Sequence, residues 1–497
     1  MVNRPNVCLI VMDTARAQSA LPTENPGVMP NLESFAYEGS TFTNAITTAP
    51  WTLPSHASIF TGQYTSDHRT NAGSLSFDPE VVPLAARLSE DGYETAAISN
   101  NTWISPEFGF DTGFNHFQRG WKLTSEGVEL TDIVRNNDTR TGQLRAILSN
   151  LTLTDFPATV VNALYNRFYH KKYDYGAKLT NYRTKEFVSK TRDEPHPFFL
   201  FLNYLEPHLE YDPPKSYRYE HKPKGASATD LDSVNQEQWE YICGNVSMDD
   251  ADFRALEALY EGELSYLDYR LGNLFEWMEE EGVLDETMII IVGDHGENIG
   301  NHRLMDHQYC LYDTLLRVPL IIRYPDSVPE DTTVQKLVEA RDIYPTVLDA
   351  CGLNAPEKDE VSSHSLLECS PKNPSTTEGR DYAFAEYLVP QPDIEQLKNR
   401  AGSAERADHL DSLDRSLRCI RTEDWKLIKA SDGRMELYDL ESDPEESEDV
   451  KDTHPEVVSE LSEVLNSEFG LVKKWDREQF NEMSGSTRSQ LEDLGYI

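Results

Sequence analysis

Basic residues are scarce in this chain: 45 Lys+Arg stand against 86 Asp+Glu over 497 residues, a formal net charge of −41. Binding to a phosphate backbone draws on Lys and Arg, so the scarcity excludes nucleic acid as a main partner and predicts repulsion from anionic membranes. Long apolar runs are missing as well. No stretch reaches the roughly 18 residues that a bilayer-crossing helix needs, and no membrane partner is expected. Nor is a secretory leader expected, because after Met1 a single Arg4 precedes Asn6-Val7-Cys8-Leu9-Ile10-Val11-Met12, which reads as a buried strand. Cysteine is sparse. The residues Cys8, Cys243, Cys310, Cys351, Cys369 and Cys419 show no CxxC spacing, so they read as free thiols in a reducing compartment, and the expected location is cytoplasmic.

What is present is a globular composition, 38% hydrophobic and long enough for roughly two or three domains. The acidic residues are interspersed through the chain, as on a solvated surface in a high-salt cytoplasm where self-repulsion is screened. Apolar strand-like runs alternate with helical stretches over the first two-thirds, the pattern of an α/β fold with a large, mostly parallel sheet flanked by helices. Strands are expected at Val7 to Met12, Thr95 to Ser99, Pro197 to Tyr204, Met288 to Val292 and Val318 to Arg323. Helices are expected at Pro30 to Glu38, Pro83 to Glu90, Asp252 to Glu281 and Ile343 to Cys351. Leu123 to Asn166 and Lys215 to Gln238 read as irregular insertions over the sheet. A catalytic α/β domain is expected over residues 1–366. A smaller α+β subdomain follows over 367–497: a linker at Pro371 to Gly379, a charged helix or loop at Asp393 to Asp414, and strands at Leu417 to Lys429 and Met435 to Leu440 around the turn Ser431-Asp432-Gly433. A helix at Pro455 to Phe469 completes it.

Ligands collect at the carboxyl ends of strands in open α/β sheets, and three such ends carry reactive side chains. Asp13 follows the first strand directly. Asp294 and His295 follow Met288-Ile-Ile-Ile-Val292 within Gly293-Asp294-His295-Gly296-Glu297. Thr52 lies just before Pro54, a residue suited to a helix's first turn, where backbone N–H groups favour an anion or alkoxide. Taken singly, Asp13 reads as a turn or cap, Asp294-His295 as a surface turn and Thr52 as an N-cap. Together, two carboxylates, an imidazole and a hydroxyl make a divalent-metal site that would acidify the hydroxyl and polarise an ester oxygen.

These segments, in this order, resemble the sulfatase family of the alkaline phosphatase superfamily, in a haloarchaeal-type acidic form. The likeness rests on Asn6 to Asp13, Met29-Pro-Asn-Leu32, Thr52 to Gly62, Pro197 to His208, Asp294 to Glu297 with Gly300-Asn301-His302, and Arg317-Val-Pro-Leu320. Ile420-Arg421-Thr422, Lys426-Leu427-Ile428, Glu436 to Leu440, Asp443-Pro444 and Leu494 to Ile497 extend it to the C-terminus. The resemblance implies the family's three-layer sandwich and one divalent cation held by Asp13, Asp294, His295 and Thr52, calcium first, with manganese, magnesium or zinc as alternatives. It implies that Thr52 is the nucleophile and that His208 contacts the ester oxyanion or protonates the leaving group. His307 stands where many members carry an anion-contacting lysine, and His56, Asn100 and His302 join it as substrate-binding candidates.

The chain departs from the family at informative places. Sulfatases oxidise the motif cysteine or serine to formylglycine; Thr52 has a methyl on its β-carbon, so no formylglycine is expected. His56 replaces the motif arginine, Thr14 replaces a second metal-binding aspartate, and the family's GKWH segment is missing. A phosphate or phosphonate ester is therefore expected over a sulfate ester, since water attacking phosphorus in line can release a Thr52 adduct without a second hydroxyl. Asn100, Asn101 and Trp103 would shape the pocket. A phosphoryl transferase and a non-catalytic anion binder are the alternatives. An anionic substrate and an acidic surface conflict, and the expected resolution is a local cationic well made by the metal with His208 and His307.

Overall fold

The strand that opens the chain lies in the middle of an eight-stranded sheet. A computed structural model describes residues 4–123, 174–192, 195–325, 327–354, 364–369, 380–401 and 410–475, with short pieces at 157–159, 161–162, 487–488 and 490–491. Ten strands come first: β1 (Asn6–Met12), β2 (Ser40–Ile46), β3 (Glu94–Ser99), β4 (His116–Arg119), β5 (Phe198–Tyr204), β6 (Thr287–Gly293), β7 (Asn298–Ile299), β8 (Met305–Asp306), β9 (Arg317–Arg323) and β10 (Thr332–Glu339). The large sheet runs β10-β2-β9-β6-β1-β5-β3-β4, and β7 with β8 forms a separate hairpin. All neighbours are parallel except β9, which runs against both β2 and β6.

Every residue of β1, β5 and β6 is buried, which explains their near-continuous apolar sequences: a central parallel strand is covered on both faces. Alternate residues of β1 serve opposite cores. Val7, Leu9 and Val11 pack on the side of Trp51, Phe60 and Phe201, whereas Cys8, Ile10 and Met12 pack with the Asp250–Glu280 helix. That helix begins with a reciprocal cap between Asp249 and Asp252. Its Phe275 stacks on Phe35 of the Pro30–Ala36 helix at 4.1 Å, and its Asp268 accepts hydrogen bonds from the Asn31 and Leu32 amides at that helix's start.

The structure also differs from the sequence expectation. The strands β2, β4 and β10 carry too many Ser, Thr, Asn, Gln or charged residues for an apolar-run criterion to find them, and β2 is held between β9 and β10 despite its polar composition. The run Leu417 to Lys429, read as one strand, is two. After β11 (Ala383–Tyr387), strands β12 (Leu417–Arg421) and β13 (Trp425–Ala430) are separated by a turn, and β14 (Met435–Asp439) completes an antiparallel sheet. Glu386 of β11 ties this sheet to the main body, accepting from the Ser66 amide at 2.7 Å and pairing with Arg418 at 2.8 Å. The Lys215 to Gln238 stretch is mostly turns with one short helix, Ala228–Ser233. Residues 124–156, 371–379, 402–409 and 494–497, which hold most of the first insertion, the linker, part of the charged segment and the C-terminal motif, lie outside the described residues. Cys8, Cys243, Cys310, Cys351 and Cys419 are buried free thiols. Among the described residues, no helix is long and apolar enough to cross a membrane.

Candidate active site

Register sets the site. Met12 of β1 lies opposite Gly293 of β6 and Tyr204 of β5, so Asp13 and Asp294 leave adjacent parallel strands side by side. Asp13, Asp294 and His295 are fully buried, and one ligand atom from each falls within 4.8 Å of the other two. Asp13 Oδ1 and Asp294 Oδ2 accept no hydrogen bond, and His295 Nε2 lies 3.9 Å from the first and 3.4 Å from the second. Two buried carboxylates with bare oxygens aimed at one imidazole nitrogen are costly alone and fit a divalent cation. The His295 tautomer suits this role, because Nδ1 lies 2.8 Å from the Gly296 carbonyl, which can only accept, leaving the Nε2 lone pair for the ion.

Thr52 is the first residue of the Thr52–Thr61 helix, all of which is buried. Its Oγ1 lies 3.2 Å from His295 Nε2 and 3.3 Å from Asn101 Nδ2, at the end of the helix whose free N–H groups favour negative charge. Ser55, one turn on, donates from Oγ to the Asp294 carbonyl at 2.6 Å and contacts Thr47 Oγ1 at 2.9 Å, fastening helix to strand end. His56 Nδ1 donates to the Thr52 carbonyl at 2.9 Å and stands 3.4 Å from Asp294 Oδ2, its ring among Phe60 and Phe201. It therefore contacts both the Thr52 backbone and a carboxylate from within the apolar layer.

Burial governs the protonation states. It raises Asp13 to about 7, against hydrogen bonds from Asn101 and Asn203, and raises Asp294 well above the carboxylate range with the help of the Asp13 charge. A dication would reverse both shifts. Burial, then the neighbouring His307, keeps His295 neutral, the form that ligates metal. Burial also lowers His56 to about 4. Burial opposes protonation of His307 too, but Asp306 and Glu297 outweigh it and push its pKa well up.

The predicted residues divide. Asp13, Thr52, Asp294 and His295 come together, and a row of imidazoles leads away from them: the His307 ring is 4.5 Å from His295 and 5.3 Å from His208. His302 is elsewhere. Its ring stacks on Tyr312 at 3.6 Å in a cleft of about 350 Å³ shared with Arg16, Asp313, Arg317 and Glu446. Asn100 turns away to donate to Thr180 Oγ1 and the Asn203 carbonyl, both at 3.0 Å, where Gly120 and Gly176 leave room for it. Its neighbour Asn101 is the asparagine that reaches the site, donating to Asp13 Oδ2 at 2.6 Å. Trp103 is core, edge-on to Trp51 at 5.6 Å and beside Phe108 at 5.0 Å. Sequence reasoning did not single out Glu297 and Asp306, which the fold places beside His307, although Glu297 closes the Asp-His-Gly-Glu motif and Asp306 directly precedes His307.

Comparison with known proteins agrees with this fold. The profile described as Sulfatase matches residues 5–353. The arylsulfatase of Clostridium perfringens is 27% identical, over 88% of this chain and 96% of its own. The multifunctional alkaline phosphatase superfamily protein PehA of Trinickia caryophylli is 24% identical, over 90% of this chain and 91% of its own. Among solved structures, the phosphonate monoester hydrolase of Agrobacterium radiobacter superposes with a TM-score of 0.66 at 22% identity, over 93% of this chain and 95% of that one.

Proposed function

Because this chain belongs to the sulfatase family of ester hydrolases, we propose that it cleaves a small anionic ester through Thr52, and that the ester is a phosphate or phosphonate in preference to a sulfate. The observation that carries the reading is the place of Thr52 Oγ1, buried at a helix N-terminus between His295 Nε2 and the Asn101 amide. Asp13, Asp294 and His295 would hold the cation. When bound, such an ion acidifies a neighbouring hydroxyl and stabilises charge developing on an ester oxygen.

The residues account for both halves of a double displacement. Thr52 Oγ gives up its proton to solvent and bonds to phosphorus as the ester oxygen departs, taking a proton from His208; water then attacks phosphorus in line and passes a proton back to His208, while the departing Thr52 oxygen takes a proton from solvent and the acid is released. A threonine cannot become an aldehyde, so the elimination by which a formylglycine hydrate expels sulfate is closed to it. Similarity to PehA and to a phosphonate monoester hydrolase supports the preference.

The test is a panel of aryl sulfate, phosphate monoester, phosphodiester and phosphonate substrates in molar KCl with calcium, manganese or zinc, run beside Thr52→Ala. Phosphorus esters are expected to turn over fastest, with a phosphoryl mass increment on Thr52 in intact protein quenched during turnover. Preferred sulfate cleavage would overturn the preference. Turnover untouched by Thr52→Ala would overturn the nucleophile.

A further inference from the structure

A C-terminal helical piece reaches back to the edge of the site. Residues 487–488 and 490–491 are helical, and Thr487, Gln490 and Leu491 stand at i, i+3 and i+4, positions that share one face of a helix. Leu491 is fully buried in the core layer that also holds Trp103, Ile104 and Phe108. From the same face, Gln490 Oε1 accepts a hydrogen bond from Thr102 Oγ1 at 3.3 Å, and Thr487 Oγ1 donates to the Glu107 carboxylate. Both bonds land on the stretch that follows β3.

That stretch carries Asn101. On the β5 side, the Asn101 N–H donates to Asn203 Oδ1 at 3.0 Å. Within the stretch, the Asn101 carbonyl accepts from Ser99 Oγ at 3.1 Å and from the Ile104 amide at 3.2 Å. Thr102, only 2% exposed, is the next residue, and its hydroxyl finds an acceptor 388 residues away. A hydroxyl buried to that degree keeps its partner, because no water replaces a lost one. The tie matters because Asn101 Nδ2 spans Asp13 Oδ2 at 2.6 Å and Thr52 Oγ1 at 3.3 Å. A shift of about an ångström breaks one of those contacts, and segments that leave strand ends move unless they are tied.

We propose that Gln490 is a positioning residue of the active site: by holding Thr102 it keeps Asn101 between Asp13 and Thr52. The consequence for rate rests on the reading that Asp13 and Thr52 carry the chemistry, whereas the brace itself does not.

Full-length protein carrying Gln490→Ala or Thr102→Val is assayed on whichever ester of the panel the wild type cleaves fastest. Each is expected to lower kcat about 10-fold with KM little changed, and the double variant to fall no further than either single one. Gln490→Glu keeps the acceptor and Thr102→Ser the donor, so both are expected to recover most of the rate. In an Asn101→Ala background, Gln490→Ala is expected to cost nothing more. Losses that multiply there are the mark of a merely structural residue and would overturn the proposal, as would an unchanged kcat in both single variants. Hydrogen exchange without substrate reads the brace directly: the peptide over residues 100–108 is expected to exchange faster in Gln490→Ala while the β1 peptide keeps its wild-type rate. Unchanged exchange at 100–108, or faster exchange in both peptides, would overturn the brace. Should Gln490→Ala fail to fold, Thr102→Val carries the same comparisons. If the wild type cleaves no ester of the panel, the reaction scheme falls and the exchange result still decides the brace.

Discussion

Asn101 Nδ2 donates to Asp13 Oδ2 at 2.6 Å, and the same amide reaches Thr52 Oγ1 at 3.3 Å, so one side chain fixes the spacing between a carboxylate and the Thr52 hydroxyl. Asn101 is itself held, its backbone N–H donating to Asn203 Oδ1 at 3.0 Å and its Oδ1 accepting from the Trp103 amide at 2.9 Å. Replacing it by alanine removes a donor to a metal-site carboxylate. Asn101→Ala is expected to lower kcat/KM or metal affinity by about 10- to 100-fold, read by steady-state kinetics and Mn²⁺ titration. An unchanged value in both measurements would count against its positioning role.

Ser55 gives a stability prediction at the same site. Its hydroxyl is the donor to the Asp294 carbonyl at 2.6 Å, in a place closed to solvent. Ser55→Ala strands a buried acceptor and is expected to cost about 1–3 kcal/mol in urea unfolding. Ser55→Thr keeps the hydroxyl and should lose less.

His68 separates protonation from metal binding, because it lies away from the carboxylates, with Ser58 Oγ at 3.1 Å on one nitrogen and the Thr70 amide donating at 3.1 Å to the other. Burial lowers its pKa from 6.5 to about 3. Between those values the unfolded chain binds a proton that the folded one refuses, so stability falls as pH drops from about 6.5 towards 3. Each pH unit contributes about 1.4 kcal/mol at most. His68→Gln is expected to flatten the difference in unfolding free energy between pH 4.5 and 7 relative to wild type. Equal pH slopes for the two proteins would refute the assignment.

The net charge of −41 yields a prediction about salt. At 0.01 M ionic strength the screening length is about 30 Å, against about 3 Å at 1 M, so self-repulsion and repulsion of an anionic substrate both strengthen as salt is withdrawn. The melting temperature and kcat/KM are expected to fall together from molar KCl to dilute buffer. Full activity in dilute buffer would show that the surface charge is inconsequential.

The legible part of the site was the part written as short contiguous signals. The strands β1 and β6 announce themselves by unbroken apolar runs, and each ends on an acid, so Asp13 and Asp294 stood out. What could not be read was side-chain direction after a strand end. Asn100 and Asn101 are adjacent and chemically identical, and only the backbone path past Asn203 decides that the second enters the site. Likewise, the spacing of Gly300, His302 and His307 gives no sign that His302 stacks on Tyr312 while His307 folds back beside Glu297. That outcome depends on the β7–β8 hairpin, whose two-residue strands are too short to carry a periodicity. The strands β2 and β10 were hidden for another reason: their polar side chains are accommodated by neighbouring strands that a local reading does not supply.

The position of β1 has a consequence for biosynthesis. It is made before the other strands of its sheet, yet its two neighbours are β5, beginning at Phe198, and β6, beginning at Thr287. A seven-residue apolar segment must therefore wait with both edges unpaired until β5 is made, and with one edge unpaired until β6 is made, past the midpoint of the chain. Until Asp294 arrives beside Asp13 there is no carboxylate pair to capture a cation. Cation capture by that pair would thus be a late report that the sheet has closed, and a chain truncated before β6 would carry Thr52 without the proposed metal site beside it.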